Sequence, residues 1–411
     1  MTAPAAPVMS LRRSILVLGA LEVFGPLSMD LYMPSLPQLA ADLGTSDALS
    51  QATMSASMIG LGLGQLVVGP LSDRFGRRPP LLVGVALFAV LSLACAAAPN
   101  IEVLLAVRFL QGLAGSAGIV MALAVARDLF DGAELSRLLS MLALVAALAP
   151  ILAPVIGGQL ATVMSWRGIF VVLAGFGAAI FAIGATSLRE TLPPERRHGG
   201  GPAATGRHFA VVLGDRAFVA ILTALVFGGI TFFTYLASIS FVVQNEHHLG
   251  PQAFSLIFAA NSVASVLGAQ LNRALVTRVG PLRMYVAAST ATTAAALAML
   301  GFALTGAGLF PVLTALAVLL ACSGMSSPNS SVLALESHAA HAGTAAALLG
   351  TATFVAGPLV APLVSLGGAN TVTMAVTMVT ASVASTVVVW TVVAPLVRRR
   401  EATSPVLAPA R

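Results

Sequence analysis

Lysine is missing from all 411 residues, so each of the 21 basic residues is arginine. Charge of either sign is scarce. Only 9% of the chain is charged, where a soluble domain carries roughly 25%. With 58% hydrophobic residues and a mean hydropathy of +0.96, there is more apolar surface than a soluble core can hide, which excludes a soluble globular protein. Cysteine is scarce as well. Cys95 and Cys322 both stand in apolar runs, which excludes a disulfide framework and a thiolate metal set. The 6 histidines show no ligand spacing in a helix. His247-His248 and the pair His338 and His341 read as loop residues, and no metal or cofactor is expected. Gly60-x-Gly62-x-Gly64 lies inside an apolar stretch and reads as close helix packing rather than a phosphate cradle. Nothing has the pattern of a catalytic triad, so an enzyme is not expected. The pI near 10.5 does not point to nucleic acid, because no soluble basic domain presents the charges.

What the chain has is long apolar runs. Stretches of about 20 residues, the length a bilayer requires, fall near 14–36, 52–71, 80–98, 101–124, 138–160, 166–187, 217–241, 252–272, 282–304, 308–331, 343–366 and 370–395. The arginines confirm that count of twelve. Nineteen lie in alternate connections or in the two tails, Arg167 alone lies in an opposite connection, and Arg108 alone lies within a span. By the positive-inside rule both termini are cytoplasmic. The expectation is an all-α polytopic protein of the bacterial inner membrane, embedded in the lipid bilayer and acting as a monomer. The first run, from Ser14, is long enough to span and holds acids, so no cleavable leader is expected. The longest connection, 188–216, holds Pro193-Pro194, Arg196-Arg197 and Gly199-Gly200-Gly201 and reads as a cytoplasmic linker. It divides a six-helix half, 1–187, from a second, 217–411. The halves echo each other weakly: Gly268, Asn272, Arg273 and Gly280 stand between spans eight and nine where Gly69, Asp73, Arg74 and Gly76 stand between two and three. Internal repeats of this kind are a feature of secondary transporters.

Gly69-Pro-Leu-Ser-Asp73-Arg74-Phe-Gly76-Arg77-Arg78 forms a short basic turn between two apolar runs. Its arginines hold the loop on the cytoplasmic side. Asp73 has two available roles, capping helix-end N–H groups or pairing with an Arg. The run resembles the signature loop between helices two and three of the major facilitator superfamily. That resemblance implies two pseudo-symmetric halves of six helices each, and a gating role for Asp73, Arg74, Gly76, Arg77 and Arg78. In span five, Ala149-x-x-x-Ala153-Pro154-x-x-Gly157-Gly158 places small residues at spacing four, which suits close helix packing. The pattern also resembles the exporter (antiporter) motif of the superfamily, with Ala in place of Gly at two positions, and assigns gating to Pro154, Gly157 and Gly158. Further motifs resemble the bicyclomycin and chloramphenicol resistance (Bcr/CflA) drug:proton antiporters: Ser28-Met29-Asp30-Leu31-Tyr32-Met33-Pro34-x-x-Pro37, Arg108-Phe-Leu-Gln111-Gly112, Arg127-Asp128, Trp166-Arg167-x-x-Phe170 and Gly343-Thr344-Ala345.

Three charged side chains lie within spans: Glu22 and Asp30 in the first, Arg108 in the fourth. Ionisable groups at membrane depth are costly and mark function by default. At ~1.5 Å per residue, Asp30 lies ~9 Å and Arg108 ~10 Å from the periplasmic end of its helix. One layer therefore holds both, and an Asp–Arg interaction is geometrically open. Glu22 lies ~12 Å further toward the cytoplasm and roughly 80° around the helix from Asp30, with Pro26 between them as a kink site. The structural alternative is a tie between helices for Asp30 and Arg108, and a wet crevice for Glu22. The resemblance assigns proton coupling to Glu22, Asp30 and Arg108. A drug site is apolar and roomy. Its candidates are Tyr32, Met58 and Met141 in the first half and Phe232, Phe233, Tyr235, Phe258 and Asn261 in the second, each with packing or lipid contact as the alternative. The function these features imply is proton-driven export, by alternating access, of small, largely apolar antimicrobials such as chloramphenicol, florfenicol or bicyclomycin. Export of an endogenous metabolite on the same scaffold is the alternative. A sensor without flux would call for a signalling domain that the chain does not show.

Overall fold

The computed structural model describes residues 11–197, 210–336, 338, 342–364 and 368–403. Among them all regular structure is helical. Ten helices are long and apolar enough to cross a bilayer, and a bent pair makes an eleventh. Ala342–Val364, 23 residues long, stands at the place of the remaining span.

The bent pair is α1, and proline explains its breaks. It runs as Leu11–Glu22, then Phe24–Asp30, then through a tight turn, Met33–Ser35, into Leu36–Asp42. The pieces Leu11–Glu22 and Leu27–Asp42 are bent by 44°. Pro26 has no N–H to give the Glu22 carbonyl, so the ladder opens just ahead of it. Pro34 and Pro37 each occupy a first-turn position, where a missing N–H costs nothing. The break expected at Pro26 is therefore present, and a second, at 31–35, carries the chain beyond the expected end of the span.

The other spans are α2 (Asp47–Phe75), α3 (Arg78–Ala96), α4 (Ile101–Leu129), α5 (Gly132–Val163), α6 (Trp166–Ser187), α7 (Arg216–Phe241), α8 (Pro251–Val279), α9 (Pro281–Leu304), α10 (Leu309–Glu336), α11 (Ala342–Val364) and α12 (Thr371–Val388). A π-turn, Val389–Val393, leads from α12 into the helical piece Ala394–Thr403. Several helices overrun their apolar windows because the caps lie outside them. Ser46 accepts the Leu49 N–H ahead of α2, Asn100 the Val103 N–H ahead of α4, and Asn370 the Thr373 N–H ahead of α12.

The chain divides into two compact units, residues 1–200 with 250–259 and residues 201–249 with 260–411. Each unit contains one very close helix crossing. In the first, a Cβ on Gly112 would overlap the Ser57 carbonyl and one on Gly60 the Phe109 carbonyl, so α2 and α4 touch backbone to backbone. In the second, Gly268 meets the Ala321 carbonyl and Gly324 the Ser265 carbonyl, which does the same for α8 and α10. The two units thus share a device, but not through the glycines that the sequence repeat aligned: Gly268 makes a close crossing, while Gly69 has open space around it.

Candidate functional site

The first unit buries Arg108 completely. Its Nη1 donates to Gln111 Oε1 at 2.5 Å, one turn along α4. Gln111 in turn donates from Nε2 to Ser92 Oγ at 2.6 Å, and Ser92 to the Phe88 carbonyl. The guanidinium lies 4.6 Å from the Tyr32 ring centre and 5.4 Å from that of Phe170. Tyr32 is held by a 2.9 Å hydrogen bond with Thr53. Nε and Nη2 of Arg108 are buried and have no hydrogen-bond partner. No ion pair joins Arg108 to Asp30, so the Asp–Arg interaction left open by the sequence is not made. The guanidinium is taken up instead by Gln111 and by the Tyr32 and Phe170 rings, Tyr32 standing in the turn that follows the break after Asp30. Asp30 is only 6% exposed, and Glu22 Oε2 is buried without a partner. The exporter-motif glycine Gly157 packs against the Leu31 carbonyl, where α1 breaks just after Asp30. Gly158 packs against Ser255, which belongs to the same unit, and Pro154 is buried.

The signature loop is built around Arg77 rather than Arg74. Arg77 pairs with Asp73 (2.5 Å) and with Asp128 (2.9 Å) and donates to Ser72 Oγ. Arg74 lies 5.2 Å from the Phe75 ring. Arg78 reaches the Ala185 carbonyl. Asp73 takes the pairing role and does not cap. The cap comes from Glu190, which sequence reasoning passed over: its carboxylate accepts the backbone N–H of Arg77 (2.8 Å) and Arg78 (3.2 Å) at the start of α3, and those of Thr191 and Leu192. Gly76, with φ of 93°, passes so close to this carboxylate that a Cβ would overlap it. Burial pulls the Glu190 carboxyl up, but the N–H groups of Leu192, Arg77 and Arg78 and the Arg197 charge outweigh it. The group is held below the usual carboxylate range. The available sequence signal was an acid placed just after the last turn of a span.

The second unit has a comparable tie at its arginine-rich end. Asp215 accepts the Ala217 N–H at the start of α7, pairs with Arg400 and faces His338 at 3.5 Å. Burial raises the Asp215 carboxyl, while Arg400, the Ala217 N–H and His338 together hold it below its ordinary value.

A cavity of about 340 Å³ lies within the second unit. No charged residue lines it, and Ser and Thr are most of its lining residues, although the surface they and their neighbours present is mainly apolar. Ser323, Ser326, Ser327 and Ser330 of α10 face Ser289 and Thr292 of α9 and Ser382 and Ser385 of α12. Phe232 and Phe233 complete it from α7. The Ser326 hydroxyl is buried with no partner. Of the expected drug contacts, only Phe232 and Phe233 line this cavity. Tyr32 belongs to the Arg108 cluster, Met58, Tyr235, Phe258 and Asn261 are buried elsewhere, and Met141 is exposed. The missed signal is the spacing of the α10 serines at i, i+3, i+4 and i+7, a polar stripe of helical period in an apolar helix.

The model of the Major Facilitator Superfamily matches residues 18–362. The chain is 37% identical to the uncharacterized MFS-type transporter YdgK of Bacillus subtilis (strain 168), over 90% of this chain and 92% of that one. It is 30% identical to the bicyclomycin resistance protein homolog of Haemophilus influenzae, over 85% and 88%. Among solved structures, a D-xylose-proton symporter superposes with a TM-score of 0.73 at 16% identity, covering 93% of this chain and 97% of that one. The nucleoside transporter NupG superposes with 0.74 at 14% identity, covering 93% and 98%. At these identities the two structures speak to the fold alone.

Proposed function

The chain belongs to the Major Facilitator Superfamily, a multi-pass membrane transporter rather than an enzyme, and from that premise we propose that it exports small neutral antimicrobials in exchange for protons. The observation that carries the reading is Arg108: a fully buried guanidinium with two unpartnered nitrogens and no carboxylate. A buried charge left this way is costly, and function is the default reason to keep it.

In this reading Asp30 and Glu22 take up and release protons as a cavity opens first to one side of the membrane and then to the other. Arg108 supplies the positive field that favours the deprotonated acid in one of those states. Gly157, against the Leu31 carbonyl, lets α5 follow the movement of the broken part of α1. Both termini lie on the cytoplasmic side, and the Asp73–Arg77–Asp128 cluster governs how fast the transporter cycles. The drug enters the hydroxyl-lined cavity, where Phe232 and Phe233 cover its apolar body and serine hydroxyls meet its polar groups. The name of the Haemophilus influenzae relative favours bicyclomycin-type substrates. The same hydroxyl-rich wall suits a neutral endogenous metabolite with several hydrogen-bonding groups, which is the second reading.

The test uses purified full chain in proteoliposomes with an imposed pH gradient. Bicyclomycin, chloramphenicol and florfenicol are offered, and drug-dependent proton release is followed by an entrapped dye. The wild type releases protons with one or more of them, and Asp30→Asn abolishes release while still inserting and binding drug. Wild-type proton release by Asp30→Asn would sink the coupling role.

A further inference from the structure

A second recess lies on the outer face of the second unit, between α9 and the end of α12. Its volume is about 460 Å³, and it is lined by Arg283, Val286, Thr290, Ala291, Trp390 and Arg398 among others. Farther along, the two helices are zipped together. Thr293 donates to the Ser382 carbonyl and bonds Thr386, and Thr386 donates to the Ser289 carbonyl. Toward the arginine-rich end the zip stops, and α12 passes through the π-turn Val389–Val393. Such turns mark places where a helix is reshaped for use. Here the turn carries Trp390, whose Nε1 donates to Thr290 Oγ1 at 2.9 Å. The indole bridges the two helices yet remains 53% exposed.

Arg283 stands seven residues before Thr290 on α9, and Arg398 eight residues after Trp390 on the other wall, so both arginines branch from the backbone ~10–12 Å beyond the indole's level, toward one end of the recess. Among the described residues neither arginine makes an ion pair or a hydrogen bond. The neighbouring Arg400, by contrast, is taken by Asp215. From the indole away from the arginines, the wall is smooth: Ala291 and Ala294 line it with no long side chain, while Val286 and Ala287 line the stretch between indole and arginines. One end of the recess is thus apolar, the middle holds an aromatic ring of the kind that sits at headgroup level, and the other end holds two cations without counter-ions. Basic recesses between transmembrane helices suit anionic lipid headgroups.

We propose that this recess binds one anionic glycerophospholipid, with its phosphate between Arg283 and Arg398, its glycerol region beside Ala287 and Trp390, and an acyl chain along Ala291 and Ala294. A zwitterionic lipid offers the arginines a phosphate that its own amine already neutralises, so it binds less well. The site is independent of drug and proton, and a bound lipid would brace α9 against α12 where their own hydrogen bonds give out.

Native mass spectrometry of the full chain in detergent, with phosphatidylglycerol or phosphatidylethanolamine added at equal concentration, tests this. Wild-type protein is expected to keep one phosphatidylglycerol more tightly than phosphatidylethanolamine, by about tenfold or more. Arg283→Gln with Arg398→Gln should erase that preference, while Arg278→Gln, outside the recess, should keep it. Trp390→Ala should weaken retention of both lipids. Equal retention of the two lipids by wild type, or an undiminished preference in the double variant, would overturn the proposal. So would displacement of the lipid by inorganic phosphate at matched concentration, which would mark a simple anion site. A melting curve of the double variant confirms that any loss is not unfolding.

Discussion

Arg108 is held by three separate contacts, and each makes a different demand on the side chain. Nη1 must reach Gln111, while the flat face must lie between Tyr32 and Phe170. A lysine ammonium can meet the first demand but cannot stack. Arg108→Lys is therefore expected to slow export by about tenfold or more, on the scale of a desolvated cation–π contact of ~2 kcal/mol. Transport assays in proteoliposomes check it, and normal rates in both Arg108→Lys and Arg108→Ala would remove this residue from the mechanism. Gln111→Leu removes the shared partner of Arg108 and Ser92, leaving buried polar groups unmet. The expected cost is about 1–3 kcal/mol, visible as a lower melting temperature in detergent. The sequence made Glu22, Asp30 and Arg108 legible because charge inside an apolar run cannot be overlooked. It left the Asp30–Arg108 contact open because equal depth does not say which faces of two helices meet, and one helical face does not extend across the break of α1 after Asp30.

The spans themselves were readable, since apolar length and arginine alternation are properties of single segments. The caps were less so. Glu190 comes from the far end of α6 to finish the first turn of α3, and no local pattern at residues 77–81 announces it. Glu190→Ala should cost roughly 0.5–2 kcal/mol, the range for a lost cap, and hydrogen exchange at Arg77 and Arg78 should rise with it. The pH dependence has a definite sign. A carboxyl held below its ordinary value of 4.5 contributes in full above that pH, and the contribution is lost as pH falls through the depressed value. Melting temperatures taken downward from pH 6 should fall for the wild type, and fall less for Glu190→Gln. The close crossings are a matter of elements too. Gly112→Ala puts a methyl onto the Ser57 carbonyl, and the expected loss is about 1–3 kcal/mol or more. Gly324→Ala, against the Ser265 carbonyl in the second unit, should behave alike. Thermal melts of both would show it, and an unchanged melt for Gly112→Ala would contradict the backbone contact.

Across the whole molecule the groups proposed for coupling and for binding divide by unit. The acids and Arg108 belong to the first, and the hydroxyl-lined cavity to the second. Binding and coupling should therefore separate under mutation. Ser326→Leu, which fills the cavity and removes an unpartnered hydroxyl, is expected to weaken drug binding by roughly tenfold while leaving a proton pathway through Asp30. Asp30→Asn should do the reverse. Drug affinity by titration in detergent and proton release in proteoliposomes read the two effects independently. Two variants that each damaged both would argue against the division. The cavity was the least legible part of the site in the sequence. Its wall is assembled from six helices, each giving one or a few hydroxyls that look like ordinary helix–helix bonding groups in isolation.

The Glu190 cap also sets an order of events during biosynthesis. Its carboxylate stands 113 residues downstream of the Arg77 N–H that it satisfies. At ~5–20 residues per second, translation needs roughly 6–23 s to cover that distance. Throughout that interval the nascent α2–α3 hairpin sits in the membrane with the first turn of α3 open. A chain stalled before residue 190 never closes it, which makes the bare N–H groups of Arg77 and Arg78 a mark by which an unfinished first unit differs from a finished one.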